Sequence, residues 1–332
     1  MKILVTGGAG FIGSHTVAEL IAKGHEPIIV DDLRNSEGFV LNKLEKLTGK
    51  KITYYPYDCG DMNLMREVFS KERPDGIIHF AAYKFVNESI NHPLKYYENN
   101  VGSLVCLLKL VAEYPVSTFV FSSSCTVYGD PDLIPVTEKN PIKPPINPYG
   151  YTKQIGENCL KDFHVNFPEM SIVLLRYFNP IGAHPSAMIG ELPIGVPSNL
   201  VPYVTQTAAG IREQLTINGN DYDTPDGTCV RDYIHVMDLA ETHVLALEYA
   251  KSNAQLKIFN VGTGVGNSVL EVVKTFESCN KIKLDYTFGP RREGDASVVY
   301  SDNQLISKTL KWETKYSLED ALQHAWKWQQ TL

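Results

Sequence analysis

An apolar run, Ile3-Leu4-Val5, passes straight into Thr6-Gly7-Gly8-Ala9-Gly10-Phe11-Ile12-Gly13 and then into a helical pattern carried by Val17, Leu20 and Ile21. Strand, glycine turn and helix in that order constrain the chain more than any other feature, because together they open a βαβ unit. Gly8-x-Gly10-x-x-Gly13 lets the backbone turn tightly, brings N–H groups against a pyrophosphate at the helix N-terminus and allows close helix–strand packing. Gly7 adds a second register, Gly7-x-x-Gly10-x-x-Gly13. Gly24 ends the helix, and Pro27-Ile28-Ile29-Val30 reads as a second parallel strand closing on Asp31-Asp32, about 20 residues after the fingerprint. A carboxylate there accepts both ribose hydroxyls and repels a 2′-phosphate, so NAD is expected over NADP. Arg34 is the nearby residue that would favour NADP.

Beyond this unit, strand-type runs alternate with helical ones: Ile52 to Tyr57 with Met62 to Phe69, Gly76 to Phe80 with Leu94 to Leu110, and Phe119 to Ser122 with Tyr149 onward. Such alternation predicts right-handed crossovers and an α/β, Rossmann-type, doubly wound parallel sheet, with ligands beyond the carboxyl ends of its strands. Three of those ends carry chemistry. Asp58-Cys59 offers a carboxylate to an adenine amino group or, equally, a cap to the helix that follows. His79-Phe80-Ala81-Ala82 leaves room for a cofactor backbone. Ser122-Ser123-Ser124 is either a hydroxyl-rich loop start or a partner for a tyrosine on the next helix. Asn99-Asn100 interrupts an apolar helix and needs partners; Asn99 is expected to bond the loop that holds the cofactor.

Composition narrows the classes further. With 332 residues, 43% hydrophobic and 21% charged, the chain can bury a large core in one large or two unequal domains. A formal net charge of −7 provides no basic field for nucleic acid or an anionic membrane. The six cysteines, Cys59, Cys106, Cys125, Cys159, Cys229 and Cys279, are widely spaced and form no Cys-x-x-Cys pair. They read as reduced thiols. With no leader or membrane-length apolar run, a cytoplasmic location is expected. His184, His235 and His243 match no metal-ligand spacing, so no metal is expected, and Trp312, Trp326 and Trp328 read as packing.

Tyr149-Gly150-Tyr151-Thr152-Lys153 follows Asn147-Pro148. A helix starting just after this proline puts Tyr149 and Lys153 on one face, where an ammonium beside the phenol favours phenolate and makes a general acid/base. Tyr-xxx-Lys occurs by chance in many surface helices. The glycine loop, Asp31 and the serine run raise its standing.

Together these residues resemble the extended short-chain dehydrogenase/reductases, and within them the branch that epimerises UDP-sugars at C4. The resemblance rests on Val5 to His15, Phe121 to Ser124, Thr126-Val127-Tyr128-Gly129, Asn147 to Lys153, Leu175 to Pro185, Gly227 to Leu239 and Arg291-Arg292-Glu293-Gly294-Asp295, and covers nearly the whole chain. It implies interconversion of UDP-galactose and UDP-glucose: Tyr149 takes the proton of the sugar 4-hydroxyl as hydride leaves C4 for NAD, the 4-keto sugar turns over, and hydride returns to its other face. Lys153 stabilises the phenolate and Ser124 shares the proton path. Implied cofactor contacts are Gly7, Gly10, Phe11, Ile12 and Gly13 in the first loop, then Asp31, Asp32, Asn35 and Ser36. Later in the chain they are Asp58, Cys59, Phe80, Ala81, Ala82, Lys84, Asn99, Ser124, Tyr149, Lys153 and Phe178. Lys84, Ser124 and Tyr149 also face the substrate. Arg231 and Arg292 are implied to hold its diphosphate, Asp295 the uridine ribose, and Asn179, Asn199 and Leu200 to lie near sugar and phosphates. Relatives pair as homodimers through helices matching Leu94 to Leu110 and Tyr149 to Phe163.

By the same match, residues 1–176 form the NAD-binding domain with its Tyr-Lys helix. Residues 177–332 form a smaller mixed α/β region, mainly for the nucleotide sugar, with some chain returning to the first domain. Helices are expected over Val236 to Ala250 and Leu318 to Trp328, and the proline-rich stretch 131–148 as a surface excursion. Arginines 231, 291 and 292 suit a phosphate clamp because guanidinium grips phosphate bidentately. Departures from the pattern fall at Tyr83, Phe85, Asn87, Asn218 and Val299. Asn218 stands where an aromatic often stacks on uracil, and Val299 where a large side chain in some relatives excludes N-acetylated sugars, so UDP-N-acetyl-hexosamines are expected to be accepted too. A sugar-nucleotide 4,6-dehydratase shares the fold but typically carries Thr-Asp-Glu where this chain has Ser124-Cys125-Thr126. An NADP-linked reductase and a non-catalytic NAD sensor are the other readings, and the sensor has no need of Tyr149 and Lys153.

Overall fold

Ile3, Leu4 and Val5 are fully buried in strand β1 (Lys2–Thr6), as a strand covered on both faces requires. The computed structural model describes residues 1–292 and 295–332; Glu293 and Gly294, within the arginine-rich motif, lie outside the described residues. Around β1 the chain lays down β2 (Glu26–Val30), β3 (Thr53–Tyr55), β4 (Gly76–His79), β5 (Thr118–Ser122) and β6 (Ser171–Tyr177). With the strand Leu256–Val261 they form one seven-stranded sheet, ordered Leu256–Val261, β6, β5, β4, β1, β2, β3. The pairings among β1 to β6 are parallel. Strand order reverses between β1 and β4, and Thr6 is in register with both Val30 and His79. Three strand ends therefore meet at the switch point where doubly wound sheets bind ligands.

Two of these strands lie outside the expected alternation. β6 contains the apolar run Ile172 to Leu175, and Leu256–Val261 is an edge strand whose apolar pattern is diluted by Lys257 and Asn260. The helix expected over Leu94 to Leu110 is instead an α-turn (Pro93–Tyr96), a π-turn (Tyr97–Val101) and an α-helix (Gly102–Glu113). Asn99 and Asn100 sit in the π-turn. The Asn100 side chain there donates to the Tyr83 carbonyl (3.0 Å) and to Thr152 Oγ1 (3.0 Å), and accepts from Tyr83 N (2.8 Å). A polar pair in an apolar helix thus coincides with a break in its hydrogen-bond ladder, as such turns often do near functional sites.

The chain divides into two units, each drawn from three segments. The first comprises Met1–Gly129, Pro141–Tyr177 and Ala240–Phe259. Its core packs sheet residues such as Leu4, Ile28, Ile77, Phe119 and Ile172 against Met65, Phe69, Leu104, Leu107 and Leu160 from the helices. The second comprises Asp130–Asn140, Phe178–Leu239 and Asn260–Leu332. It holds short ribbons, Val230–Arg231 between Asn267–Ser268 and Val298–Val299, and Leu215–Asn218 beside Tyr286–Gly289. Val201, Val204, Val272, Phe276, Leu322 and Ala325 from its helices form a separate apolar cluster. Trp328 is buried and donates its Nε1 hydrogen to the Glu191 carbonyl (2.9 Å).

Candidate active site

The glycine loop is held by contacts that only glycine permits. Gly7 has φ +72°, and a Cβ on Gly13 would lie 2.2 Å from the Gly7 carbonyl oxygen. No side chain caps the helix Phe11–Ala22, which leaves its first N–H groups for an anion. Ala9 N and Leu33 N donate to the two oxygens of Asp31 at 3.0 and 2.9 Å, and the Ser36 hydroxyl donates at 3.1 Å. Burial raises the Asp31 pKa, with these hydrogen bonds opposing it. An uncapped helix end, a glycine cradle and a carboxylate at the next strand end fit a dinucleotide. Phe11 packs edge-on against His15, Ile12 and Asn35 are half-buried, and Phe80 N donates to the Thr6 carbonyl (3.0 Å) while its ring lies 4.6 Å from His243. Ala81 N comes within 2.8 Å of where a Gly7 Cβ would stand, and Ala82 and Lys84 follow, half-buried. Cys59 is buried and its thiol is pushed up to about 12 by that burial.

Tyr149 and Lys153 share a face of the helix Pro148–Asn166, which takes in the proline itself rather than starting after it. Pro148 occupies the first turn, where its missing N–H matters least, and Asn147 Oδ1 accepts from Gly150 N (2.9 Å). Lys153 is buried and donates from Nζ to the Ser122 carbonyl at 2.7 Å, 5.1 Å from the Phe121 ring centre and 5.9 Å from that of Tyr149. Desolvation lowers its pKa to about 8. The phenol behaves differently from expectation. Burial raises the Tyr149 pKa, the neighbouring Tyr177 adds to that, and Ser124 pulls it down. Lys153, 5.9 Å from the ring centre, does not reverse the effect, so in the protein alone Tyr149 is held protonated.

The serine run performs three different tasks. Ser122 shares a short hydrogen bond with the Tyr177 hydroxyl, besides receiving Lys153 at its carbonyl. Ser123 donates to Glu157 Oε1 (2.7 Å). Ser124, buried, caps the short helix Cys125–Tyr128 by accepting from Thr126 N (3.3 Å) and lies beside Tyr149. Glu157 was not among the expected residues. It lies one turn beyond Lys153 and forms a buried pair with Arg176 of β6, whose Nε donates at 2.7 Å and whose Nη1 donates to the Tyr128 hydroxyl at 2.9 Å. Tyr149, Lys153 and Glu157 at spacings of four are the signal that reveals it.

The first unit also gathers Asp32, Asp58 and Asn99 around Arg34. The guanidinium pairs with the carboxylates of Asp32 and Asp58 and donates to Asn99 Oδ1 (2.9 Å). Asn99 therefore bonds the loop after β2, whereas Asn100 holds the loop after β4. The Tyr83 ring points at Arg34 and Lys95.

In the second unit, Arg231, Arg292, Asp295 and Val299 come together. Asp295 receives Arg292 Nε at 3.2 Å and lies 3.7 Å from an Arg231 nitrogen, and Val299 is the strand partner of Arg231. Arg291 turns away to Asp221 (2.7 Å) and covers the Tyr222 ring at 4.3 Å, so of the three arginines only Arg231 and Arg292 lie beside Asp295. Asn218 is exposed at the end of its strand, Asn199 donates to Glu191 (2.7 Å), Leu200 opens the helix Leu200–Ala208, and Asn179 pairs with Tyr233. Phe178 is buried, its N–H donating to the Val261 carbonyl at 3.1 Å.

A switch-point sheet that carries tyrosine and lysine on the helix between β5 and β6 defines a short-chain dehydrogenase/reductase, and the long second unit makes it one of the extended kind. The family model described as GDP-mannose 4,6 dehydratase matches residues 4–325. UDP-glucose 4-epimerase of Bacillus subtilis is 48% identical over 99% of this chain and 97% of its own. The solved UDP-glucose 4-epimerase of Bifidobacterium longum, in complex with NAD+ and UDP, superimposes with a TM-score of 0.97 at 44% identity, covering 100% of this chain and 98% of that one. The UDP-Glc/GlcNAc 4-epimerase of Campylobacter jejuni gives a TM-score of 0.86 at 37% identity, covering 100% and 99%. The chain belongs to the UDP-glucose 4-epimerase family.

Proposed function

We propose that the chain interconverts UDP-galactose and UDP-glucose by inverting C4, with NAD as a cofactor regenerated in each turnover. The observation that carries this is Tyr149 held above Lys153 on one helix face, with Ser124 alongside and the glycine loop and Asp31 in the same unit. NAD bound there would supply the hydride acceptor and donor for C4, and a positive nicotinamide ring would favour phenolate. The Tyr149 oxygen takes the 4-hydroxyl proton and gives it back, Ser124 shares that path, and Lys153 stabilises the charge on the phenol. Gly7, Gly10, Gly13, Asp31 and the strand-end loops hold the dinucleotide. Arg231 and Arg292 hold the diphosphate and Asp295 the uridine ribose, with Asp295 now paired to both arginines. In this division residues 1–176, joined by chain that returns from further on, serve NAD, while 177–332 mainly serve the nucleotide sugar. The small Val299 beside Arg231 supports acceptance of UDP-N-acetyl-hexosamines. A 4,6-dehydratase, after which the matching family model is described, is disfavoured by Cys125 and Thr126, which stand where its acids are expected.

Incubation with UDP-galactose and no added reductant should yield UDP-glucose without lasting NADH. A requirement for stoichiometric reductant would refute epimerisation, and no turnover of UDP-N-acetylgalactosamine would refute the broader specificity. A homodimer through the helices 93–113 and 148–166 is supported by Leu94 and Val165, each exposed at 78%; a monomeric mass by light scattering would sink it. A cytoplasmic location is supported by six free cysteines and by the lack, among the described residues, of a helix long and apolar enough to cross a membrane.

A further inference from the structure

Arg34 binds four segments of the first unit at once. It lies in the loop after β2, and one guanidinium nitrogen meets the carboxylates of Asp32, in its own loop, and Asp58, in the loop after β3. The other donates to Asn99 Oδ1 in the π-turn (2.9 Å) and to the Tyr83 hydroxyl in the loop after β4 (3.3 Å). The partners are themselves fixed. Asp58 Oδ1 receives Gly60 N (2.7 Å), and Asn99 Nδ2 donates to Asn100 Oδ1 (2.9 Å), which in turn anchors Tyr83. A cavity of about 380 Å³ opens against this network, lined by Arg34, Asp58, Tyr83, Lys95, Asn99 and Ser103. Without Arg34, two carboxylates would face each other across the loops after β2 and β3 with no cation between them.

Resting on the NAD reading above, we propose that Arg34 is the clasp of the cofactor site at its adenosine end. Its fork keeps Asp58 and Asn99 aimed and ties the strand-end loops together, so the dinucleotide leaves slowly. A planar fork with several fixed donors suits this task, and a lysine does not replace it. The same pairing explains why Arg34 does not turn the site toward NADP. Its charge is already matched by Asp32 and Asp58, and a 2′-phosphate would have to displace them. Tyr83, one of the departures from the family pattern, is part of the same clasp.

The test is cofactor release. Wild type, Arg34→Ala and Arg34→Lys, each loaded with NAD, are diluted into an NAD-hydrolysing trap, and retained nucleotide is quantified over time after rapid gel filtration. Release from Arg34→Ala is expected to be at least tenfold faster than from wild type, with Arg34→Lys closer to Ala. Because the Arg34 side chain is 37% exposed, added salt should speed release from wild type more than from Arg34→Ala. Equal release rates for wild type and both variants overturn the clasp alone. Tighter binding of NADP than NAD by wild type, lost in Arg34→Ala, overturns it in favour of a phosphate receptor. A wild type that retains no NAD at all overturns both the clasp and the cofactor reading. Circular dichroism of each variant establishes that it is folded, and the exposed position of Arg34 makes both substitutions tolerable.

Discussion

At the scale of single residues, Tyr149 and Lys153 perturb each other less than their spacing implies, and burial dominates both. Tyr149→Phe should lower kcat by about 10²–10⁴-fold while the protein stays folded, the range for losing one positioned acid/base; single-turnover kinetics with UDP-galactose checks this. Lys153 titrates near pH 8 in the protein alone, as ammonium below that value and amine above it. If the ammonium holds the phenolate, kcat/KM should fall as pH rises through about 8. Lys153→Arg, which stays charged, should move that limb upward, and an unchanged limb would remove Lys153 from the role. Both residues were legible from a proline, a spacing of four and a glycine loop upstream. The upward shift of the phenol was not, because desolvation depends on what the fold packs around Tyr149 rather than on its neighbours in sequence.

At the scale of elements, the helix Pro148–Asn166 is set by its cap and by one buried ion pair. Asn147→Ala removes the bond to Gly150 and should cost about 1 kcal/mol. Glu157→Gln leaves Arg176 buried without its counter-charge and should cost roughly 3–5 kcal/mol, read from the urea midpoint. A loss below 1 kcal/mol would mean that the arginine finds another partner. The cap could be read directly from Asn147-Pro148. The pair could not, since Glu157 and Arg176 lie on different elements and nothing local to either names the other. The π-turn shows the same limit: Asn99-Asn100 announced a need for partners, but whether the helix would bend to supply them depends on Tyr83 and Thr152 from other elements.

At the scale of the whole molecule, the parallel sheet followed from its alternating runs, and the second unit hardly at all. Its ribbons of two to four residues are too short to show a period, and its segments are interleaved with the first unit. Global stability should bear the mark of His79, buried in β4, sharing a 2.7 Å hydrogen bond with Thr6 and pushed down to about 3 by burial and then by Lys153. Its folded pKa lies below the unfolded value near 6.5, so between about pH 6.5 and 3 the unfolded chain takes up a proton that the folded one does not. Stability should fall as pH falls through that window, and His79→Asn should flatten the fall in urea titrations. The edge strand Leu256–Val261 has a consequence for synthesis. β6 gains this neighbour only after the long stretch from Phe178 to Gln255 has left the ribosome. Until then the nascent sheet presents an open flank, and slower translation through that stretch should prolong exposure to strand-pairing errors and to chaperones.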